Sequence, residues 1–228
     1  APTDTGYVNI FSTNGGAFAA LKSDGSITAW GDSSHGGTGA PTDTGYVNIF
    51  SNESAFAALK SDGSISVWGS EYYGGTGAPT SGTYVNVFSN KYAFAALKSD
   101  GSIKVWGNSM FGGSGAPTDS GYVNIISNNG AFAALREDGS IVAWGYSNYG
   151  GTGAPTGTGY VNIFSTFYAF VAVKDSNLYK NTLQDTGSYF NDVWELNLTQ
   201  SSPTWSLLNY GIGANHHTPE ERHGHSSV

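Results

Sequence analysis

Four aspartates are the first residues in this sequence whose type and spacing could do chemistry. Each precedes a glycine, and they recur every 38 residues as Asp24, Asp62, Asp100 and Asp138. No second carboxylate accompanies any of them, so the pattern does not support paired acid–base catalysis. A row of calcium sites would need several oxygen ligands per site, and the glycine–aspartate nonapeptides that supply them are missing. We therefore predict that these aspartates form turns.

The histidines are the second candidate for chemistry. Four of them cluster near the end of the chain, with two glutamates between them: His216, His217, Glu220, Glu221, His223 and His225. Imidazole and carboxylate groups can bind zinc or copper, but this spacing matches no standard site. No nucleophile elbow stands out that would pair a serine with these histidines. We therefore expect no metal, no cofactor and no enzymatic activity.

A recurring stretch must position the aspartates. AFAALKSDGSITAWG occupies 17–31, and close copies occupy 55–69, 93–107 and 131–145. Each copy reads as a β-hairpin with Asp-Gly at the centre of a two-residue type I′ turn, in which both residues need positive φ. Each ends in Trp-Gly, and we expect these tryptophans to pack in a structural core: Trp30, Trp68, Trp106 and Trp144. Self-similarity at this period is typical of propellers, solenoids and arrays.

A complete unit contains three predicted strands. Units begin at Ala1, Ala40, Ala78, Ala116 and Ala154, and a short strand such as YVNIFS at 7–12 precedes each hairpin. Apolar residues occur on both faces of the hairpin, which indicates sheets that are covered on both sides by neighbouring sheets. We predict an all-β fold of tandem three-stranded repeats arranged like a β-propeller. The alternative is an open, stacked or filamentous array of the same sheets.

The repeat pattern ends after Val173. Thr182 stands where a fifth tryptophan would fall, and strand-like segments follow at 192–198 and 204–208. We therefore divide the chain into five repeats of about 38 residues at 1–173 and a different β unit at 174–228, which completes or extends the array.

The repeats resemble those of the regulator of chromosome condensation family. The shared core is LKSDGSITAWG with the glycines that follow it, and the resemblance covers residues 1 to about 173. It implies β-propeller blades, and the family name implies nucleotide exchange on a small GTPase and chromatin binding. The units here are shorter, and the segment that would supply a fourth strand is reduced to GAPTDTG. No position here matches an exchange residue that we can identify.

The final segment resembles a single kelch unit. SYFNDVWELNL, PTWSLL and ERHGHSSV carry this resemblance, over about 187–228. Kelch repeats also build propeller blades, so both resemblances imply the same architecture.

Composition limits the partners and the cellular location. The formal charge of −8, with nine dispersed basic residues, opposes nucleic-acid binding. No stretch is apolar for long enough to cross a bilayer, and cysteine is absent. Asn52 and Asn197 begin N-glycosylation triplets, which favours an extracellular or cell-surface protein. Because Ala1 falls on a unit boundary, we expect a processed protein or a segment of a longer one.

The loops differ between units while the strands stay nearly constant. One variable set follows Trp-Gly and the other precedes the hairpin, and loops on a rigid scaffold commonly carry function. Aromatic residues in them could stack on sugars or pack against a protein: Tyr72, Tyr73, Phe111, Tyr149 and Tyr168. The alternative is variation at solvent-facing positions, with some aromatics covering blade edges.

These observations favour a non-catalytic extracellular β-repeat scaffold for binding or self-assembly, because near-identical units offer near-identical edges. Its partners would be copies of itself, a protein or a glycan. The alternatives are a glycan-binding propeller lectin and a guanine nucleotide exchange regulator of a small GTPase.

Overall fold

The computed structural model describes residues 2–174, 194–197 and 204–207. Five units follow one another, and the first strand of each is β1 (Tyr7–Ser12), β4 (Tyr46–Ser51), β7 (Tyr84–Ser89), β10 (Tyr122–Ser127) and β13 (Tyr160–Ser165). The second strands are β2 (Ala17–Lys22), β5 (Ala55–Lys60), β8 (Ala93–Lys98), β11 (Ala131–Arg136) and β14 (Phe170–Lys174). The third strands of the first four units are β3 (Ile27–Gly31), β6 (Ile65–Gly69), β9 (Ile103–Gly107) and β12 (Ile141–Gly145).

Each of the first four units forms an antiparallel sheet with its strands in sequence order, and β13 pairs with β14 in the fifth. The prediction of tandem three-stranded repeats is therefore confirmed. The register places Phe56 opposite Trp68, and their rings stack with centroids 5.0 Å apart. The equivalent Phe–Trp pairs recur in the other three sheets.

The hairpin turn differs from the two-residue type I′ turn that the sequence suggested. Gly25 N donates to Lys22 O and Lys22 N donates to Ser26 O, so the central residues are Ser23 and Asp24 rather than Asp24 and Gly25. This is a three-residue loop in which Gly25, at φ 77°, forms a bulge after the turn. The bulge brings Gly25 against the next unit, where its carbonyl accepts from Tyr46 N. The other three hairpins repeat these bonds.

The core lies between successive sheets. In the second to fifth units the face that meets the preceding sheet is closed, and Phe56, Phe94, Phe132 and Phe170 are fully buried. Trp68, Trp106 and Trp144 are buried on the same faces. Trp30 does not have the buried core position that the sequence predicted for it, because no described sheet precedes the first one. It is half-buried, and its neighbours Phe18 and Ile10 are exposed.

The units are wedges, which gives the array its propeller-like curvature. On one side the first strands contact one another directly, and Ser89 Oγ donates to Ser51 O at 2.8 Å. Ser127 and Ser165 continue this series at the same interval. On the other side, the segment linking two units is inserted between their sheets, where Trp68 Nε1 donates to Gly36 O. Because the linking segment separates the sheets on this side only, successive sheets lie closer together on the other side. Each junction therefore turns the array in the same direction.

In the second predicted region, β15 (Trp194–Asn197) and β16 (Thr204–Leu207) pair antiparallel, with Trp194 opposite Leu207. Both fall within the two strand-like segments that the sequence indicated. Thr182, the histidine cluster and the rest of the kelch-like sequence lie outside the described residues. The boundary at 173/174 and the kelch assignment stay predictions.

Candidate functional site

The variable loops all lie at one edge of the sheets, which we call the loop edge: residues 12–16 and 32–37 of the first unit and their equivalents. The opposite edge holds the hairpin turns and the start of each first strand, and we call it the turn edge. At the loop edge each third strand ends in a glycine and continues into one turn of 3-10 helix: Ser33–His35, Glu71–Tyr73, Ser109–Phe111 and Ser147–Tyr149. A glycine in the left-handed region, such as Gly36 at φ 95°, ends each turn.

A buried asparagine fixes the two variable loops of a unit to each other. Asn90 Nδ2 donates to Phe111 O at 2.6 Å, and its Oδ1 accepts from Tyr92 N and Ala93 N. Asn52 and Asn128 make the same bonds in their units, and Thr13 replaces the asparagine in the first. Sequence reasoning missed this role, although asparagine recurs at 52, 90 and 128.

This geometry opposes a glycan on Asn52. Its amide nitrogen, the atom that a glycan would modify, donates to Tyr73 O at 2.7 Å, and the residue is buried. A modified amide would have to leave that carbonyl and give up the loop attachment. Asn197 lies in β15, and the rest of its triplet is outside the described residues.

The predicted aromatic residues come together in one continuous row, which we call the aromatic column. Tyr73 stacks on Tyr92 of the next unit with centroids 5.7 Å apart, and Tyr92 stacks on Phe111 at 4.0 Å. Phe111 continues through Tyr146 to Tyr149. Tyr149 then contacts two aromatic residues of the fifth unit, Tyr168 and Phe167. All five candidates therefore belong to the column, and Tyr92, Tyr146 and Phe167 are members that the sequence did not single out.

The column has a closed middle and open ends. Tyr73, Tyr92, Phe111 and Tyr149 are half-buried, and their ring faces pack largely against one another. Tyr72 lies edge-on to Tyr73 and is 57% exposed. At the other end, Phe167 is 57% exposed and Tyr168 is 60% exposed. Free ring surface for a ligand is thus concentrated at the two ends, while the middle joins units together.

A polar groove of about 680 Å³ also lies at the loop edge. The serines that end the first strands line it, together with the asparagines and Glu53, Lys91 and Thr166 of the loops. Backbone bonds join successive loops at this edge: Gly15 N donates to Glu53 O, and Glu53 N donates to Lys91 O. Phe167 lines both this groove and the exposed end of the column.

The turn edge is occupied by internal contacts. Asp62 Oδ1 accepts from the hydroxyl and the backbone N–H of Ser64, and these bonds hold the pKa of its carboxyl below the ordinary value. The pKa values of Asp24, Asp100 and Asp138 are lowered by the same serine contacts. Burial, followed by the hydrogen bond to Asp119, raises the pKa of Tyr122 to about 12. The four aspartates therefore serve their own turns.

The described residues contain no group of histidines, aspartates and glutamates placed to hold a metal ion. Nor does any described helix have the length and apolar character needed to cross a bilayer.

Known structures share this fold at low sequence identity. The ectodomain of the Physcomitrella patens receptor kinase CR4 superimposes with a TM-score of 0.56 at 19% identity, over 73% of this chain and 49% of that one. The CRINKLY WD40 ectodomain of the Arabidopsis thaliana receptor kinase ACR4 gives 0.52 at 18% identity, over 75% of this chain and 60% of that one. Prp20p from Saccharomyces cerevisiae gives 0.49 at 18% identity, over 82% of this chain and 52% of that one.

The chain thus spans about half to three-fifths of the length of the two plant ectodomains. No protein-family model and no curated protein matches the sequence. These similarities and the wedge geometry together show a propeller-like array of tandem β units.

Proposed function

We propose that this chain is a non-catalytic binding scaffold that presents its loop edge to a protein partner. The observation that carries the proposal is the aromatic column. Its exposed ends are Tyr72 and the pair Phe167 and Tyr168, and Phe167 also lines the polar groove. Exposed tyrosine and phenylalanine beside polar groups are the composition that protein interfaces favour.

The distribution of variation supports the same edge. Residues that build the fold recur from unit to unit, whereas the loop edge carries a different side chain in each, such as Asp32, Ser70, Asn108 and Tyr146 at one position. Since the asparagine attachments hold these loops in place, the differing side chains are displayed on a fixed frame. The four turn aspartates are each committed to a serine, so these carboxylates are occupied within their own turns.

The proposal is tested by comparing the proteins that bind to the immobilised wild type, to a loop-edge variant and to a control variant. The loop-edge variant combines Tyr72→Ser with Tyr168→Ser, which removes an exposed ring at each end and leaves the stack of Tyr73, Tyr92 and Phe111 intact. The control is Glu137→Gln, an exposed change on the turn edge. We expect the loop-edge variant to lose a protein partner that the wild type and the control both retain. Equal retention by all three would refute the assignment of the loop edge.

Glycan binding is the alternative outcome. In a lectin, Tyr73→Ala or Tyr149→Ala would abolish saturable glycan binding. The rings of both residues already stack on neighbours, which leaves Tyr72, Phe167 and Tyr168 as the freer platforms. A glycan array probed with the wild type separates the two outcomes. Accelerated nucleotide release from a small GTPase would instead support the exchange-factor alternative.

Self-association is a second candidate function, favoured by the open face of the first sheet. Ile10 is 63% exposed and Phe18 is 41% exposed, whereas their equivalents in the later sheets are buried. That face has the residues that elsewhere pack against a sheet of the same type, so a second copy offers a matching surface. Light scattering on the wild type and on Phe18→Ser tests it. A larger mass that falls in the variant supports association, and a monomer at all concentrations excludes it.

An extracellular or cell-surface location belongs to the same proposal. It agrees with the two similar plant structures, which are receptor-kinase ectodomains. Expression through a secretory pathway, with Asn197→Gln as the variant, shows whether this triplet is glycosylated. A mobility shift that depends on Asn197 supports the location, and an unglycosylated secreted product removes that support.

A further inference from the structure

The third unit departs from the charge pattern of the turn edge. In every unit a cation at the end of the second strand lies over the ring of the tyrosine that begins the first strand, at 4.6 to 5.5 Å from the ring centroid. In three units an aspartate also pairs with that cation: Asp4 with Lys22, Asp43 with Lys60, and Asp119 with Arg136. The third unit has Ser81 at the aspartate position. Within residues 2–174, Lys98 consequently has no carboxylate at salt-bridge distance.

A second cation occurs in the same unit. Lys104 is exposed on β9, at a position occupied by Thr28, Ser66 and Val142 in the other three-stranded sheets. The neighbouring carboxylate, Asp100, has an equivalent in each of the other three hairpins. It accepts hydrogen bonds from the backbone N–H and the hydroxyl of Ser102. The third unit thus has two lysines and one aspartate where the first has one lysine and two aspartates, Asp4 and Asp24. In a chain of formal charge −8, this makes the turn edge of the third unit a local cationic site.

These two lysines line one open groove of about 530 Å³. One wall is the strand and turn that include Lys98, Ser102 and Lys104, and the other is the linking segment 113–118. Two lysines and several hydroxyl-bearing residues, among them Ser114 and Thr118, therefore line the same groove. Such donors suit an oxyanion, because ammonium groups and hydroxyls donate hydrogen bonds to its oxygens.

We propose that this groove binds an oxyanion, a carboxylate, sulfate or phosphate group carried by a ligand of the protein. The site lies on the turn edge and is distinct from the loop-edge surface of the proposed function. Lys98 and Lys104 provide the charge, and the absence of an aspartate at position 81 leaves that charge available. The equivalent positions of the second unit form a built-in comparison, because Lys60 is paired with Asp43 there and Ser66 replaces the second lysine.

Titration followed by amide chemical shifts tests the proposal on the whole chain. The probes are sodium sulfate, sodium phosphate and sodium glucuronate, each compared with sodium chloride at equal ionic strength so that screening alone is subtracted. We expect saturable shifts around Lys98, Lys104 and Ser114, and none around Lys60. The three probes identify which oxyanion the groove prefers. Shifts of equal size around Lys60, or shifts that chloride reproduces, would overturn the proposal.

Two variants tie binding to the charge pattern. Lys104→Thr introduces the residue of the first unit, and Ser81→Asp introduces the aspartate of the first, second and fourth units, so both use chemistry that the fold already accommodates. Each should weaken binding by about two- to fivefold, as expected for one exposed ion pair. Unchanged affinity in both variants would show that the lysines do not form the site. Amide spectra that otherwise match the wild type verify that the variants are folded.

Discussion

The turn edge and the loop edge are made by the same units, yet they depend to different degrees on backbone and side-chain contacts. At the turn edge the backbone of one unit meets the next directly, since Tyr46 N donates to Gly25 O, so the geometry tolerates little change. At the loop edge, backbone bonds such as Gly15 N to Glu53 O also join the loops that precede the hairpins. The loops that follow Trp-Gly are instead fixed by asparagine side chains within the second to fourth units, and they meet neighbouring units through side chains. Contacts made by side chains can be exchanged for others without moving the chain. This difference explains why variation accumulates at one edge.

The largest expected loss of stability comes from adding a methyl group at the turn edge, and the same change at the loop edge is its comparison. Gly63→Ala should destabilise the fold by about 2–4 kcal/mol, because φ is 81° and the new Cβ would lie 2.7 Å from Tyr84 N. Gly130→Ala at the loop edge should cost less, about 1–2 kcal/mol, because Gly130 is not in the left-handed region and the methyl group meets ring atoms of Tyr149 and Phe111 rather than backbone. Denaturant unfolding measures both. Equal losses would show that the two edges are equally rigid.

The asparagine attachment should have the next largest effect. Asn90→Ala leaves Phe111 O and two backbone N–H groups without their partner in a buried position, at a cost of about 1–3 kcal/mol. Its control at the turn edge is Asp62→Ala, whose exposed carboxylate accepts from Ser64 and whose removal should cost less. If Asp62→Ala proves the more damaging of the two in thermal unfolding, this account of the loop edge is wrong.

The aromatic column should contribute more modestly. Tyr92→Ala removes stacking on both Tyr73 and Phe111 and should cost about 1–2 kcal/mol. A double-mutant cycle with Tyr73→Ala isolates the contact between the second and third units. A coupling energy near zero would mean that the rings merely lie side by side.

Acid should produce the smallest effect, and it should act at the turn edge. The pKa of Asp62 is lowered in the folded chain, so the unfolded chain binds more protons as the pH falls toward and below the ordinary value of 3.8. The stability that this carboxylate contributes is therefore complete well above 3.8 and is lost as the pH falls through the lowered folded value. Thermal unfolding across this range measures it, and Asp62→Asn should flatten the curve. A steeper acid loss in that variant would contradict the assignment.

The period and the strand pattern were enough to predict the sheets, because Ala-Phe-Ala-Ala-Leu followed by Ile and Trp has apolar residues on both faces. The turn was mispredicted because Asp-Gly fits both a two-residue turn and a three-residue loop. The bond from Tyr46 N to Gly25 O, which fits the bulge of the three-residue loop, comes from the next unit and is tertiary. The candidates Tyr72 and Tyr168 could be found as loop aromatics. That Tyr73 and Tyr92 stack across units could not, since the distance between successive loops depends on the wedge angle.

One consequence follows from the indole of Trp68 donating to Gly36 of the preceding unit. A single unit never contains a complete interior, because part of what encloses each sheet is encoded before it in the gene. Tandem duplication of one whole period, wherever the breakpoints fall, therefore creates a full junction along with the extra sheet. Lengthening of the array by recombination demands no compensating substitution, whereas an insertion between a carbonyl and its indole changes the separation of 32 residues that recurs at each such junction.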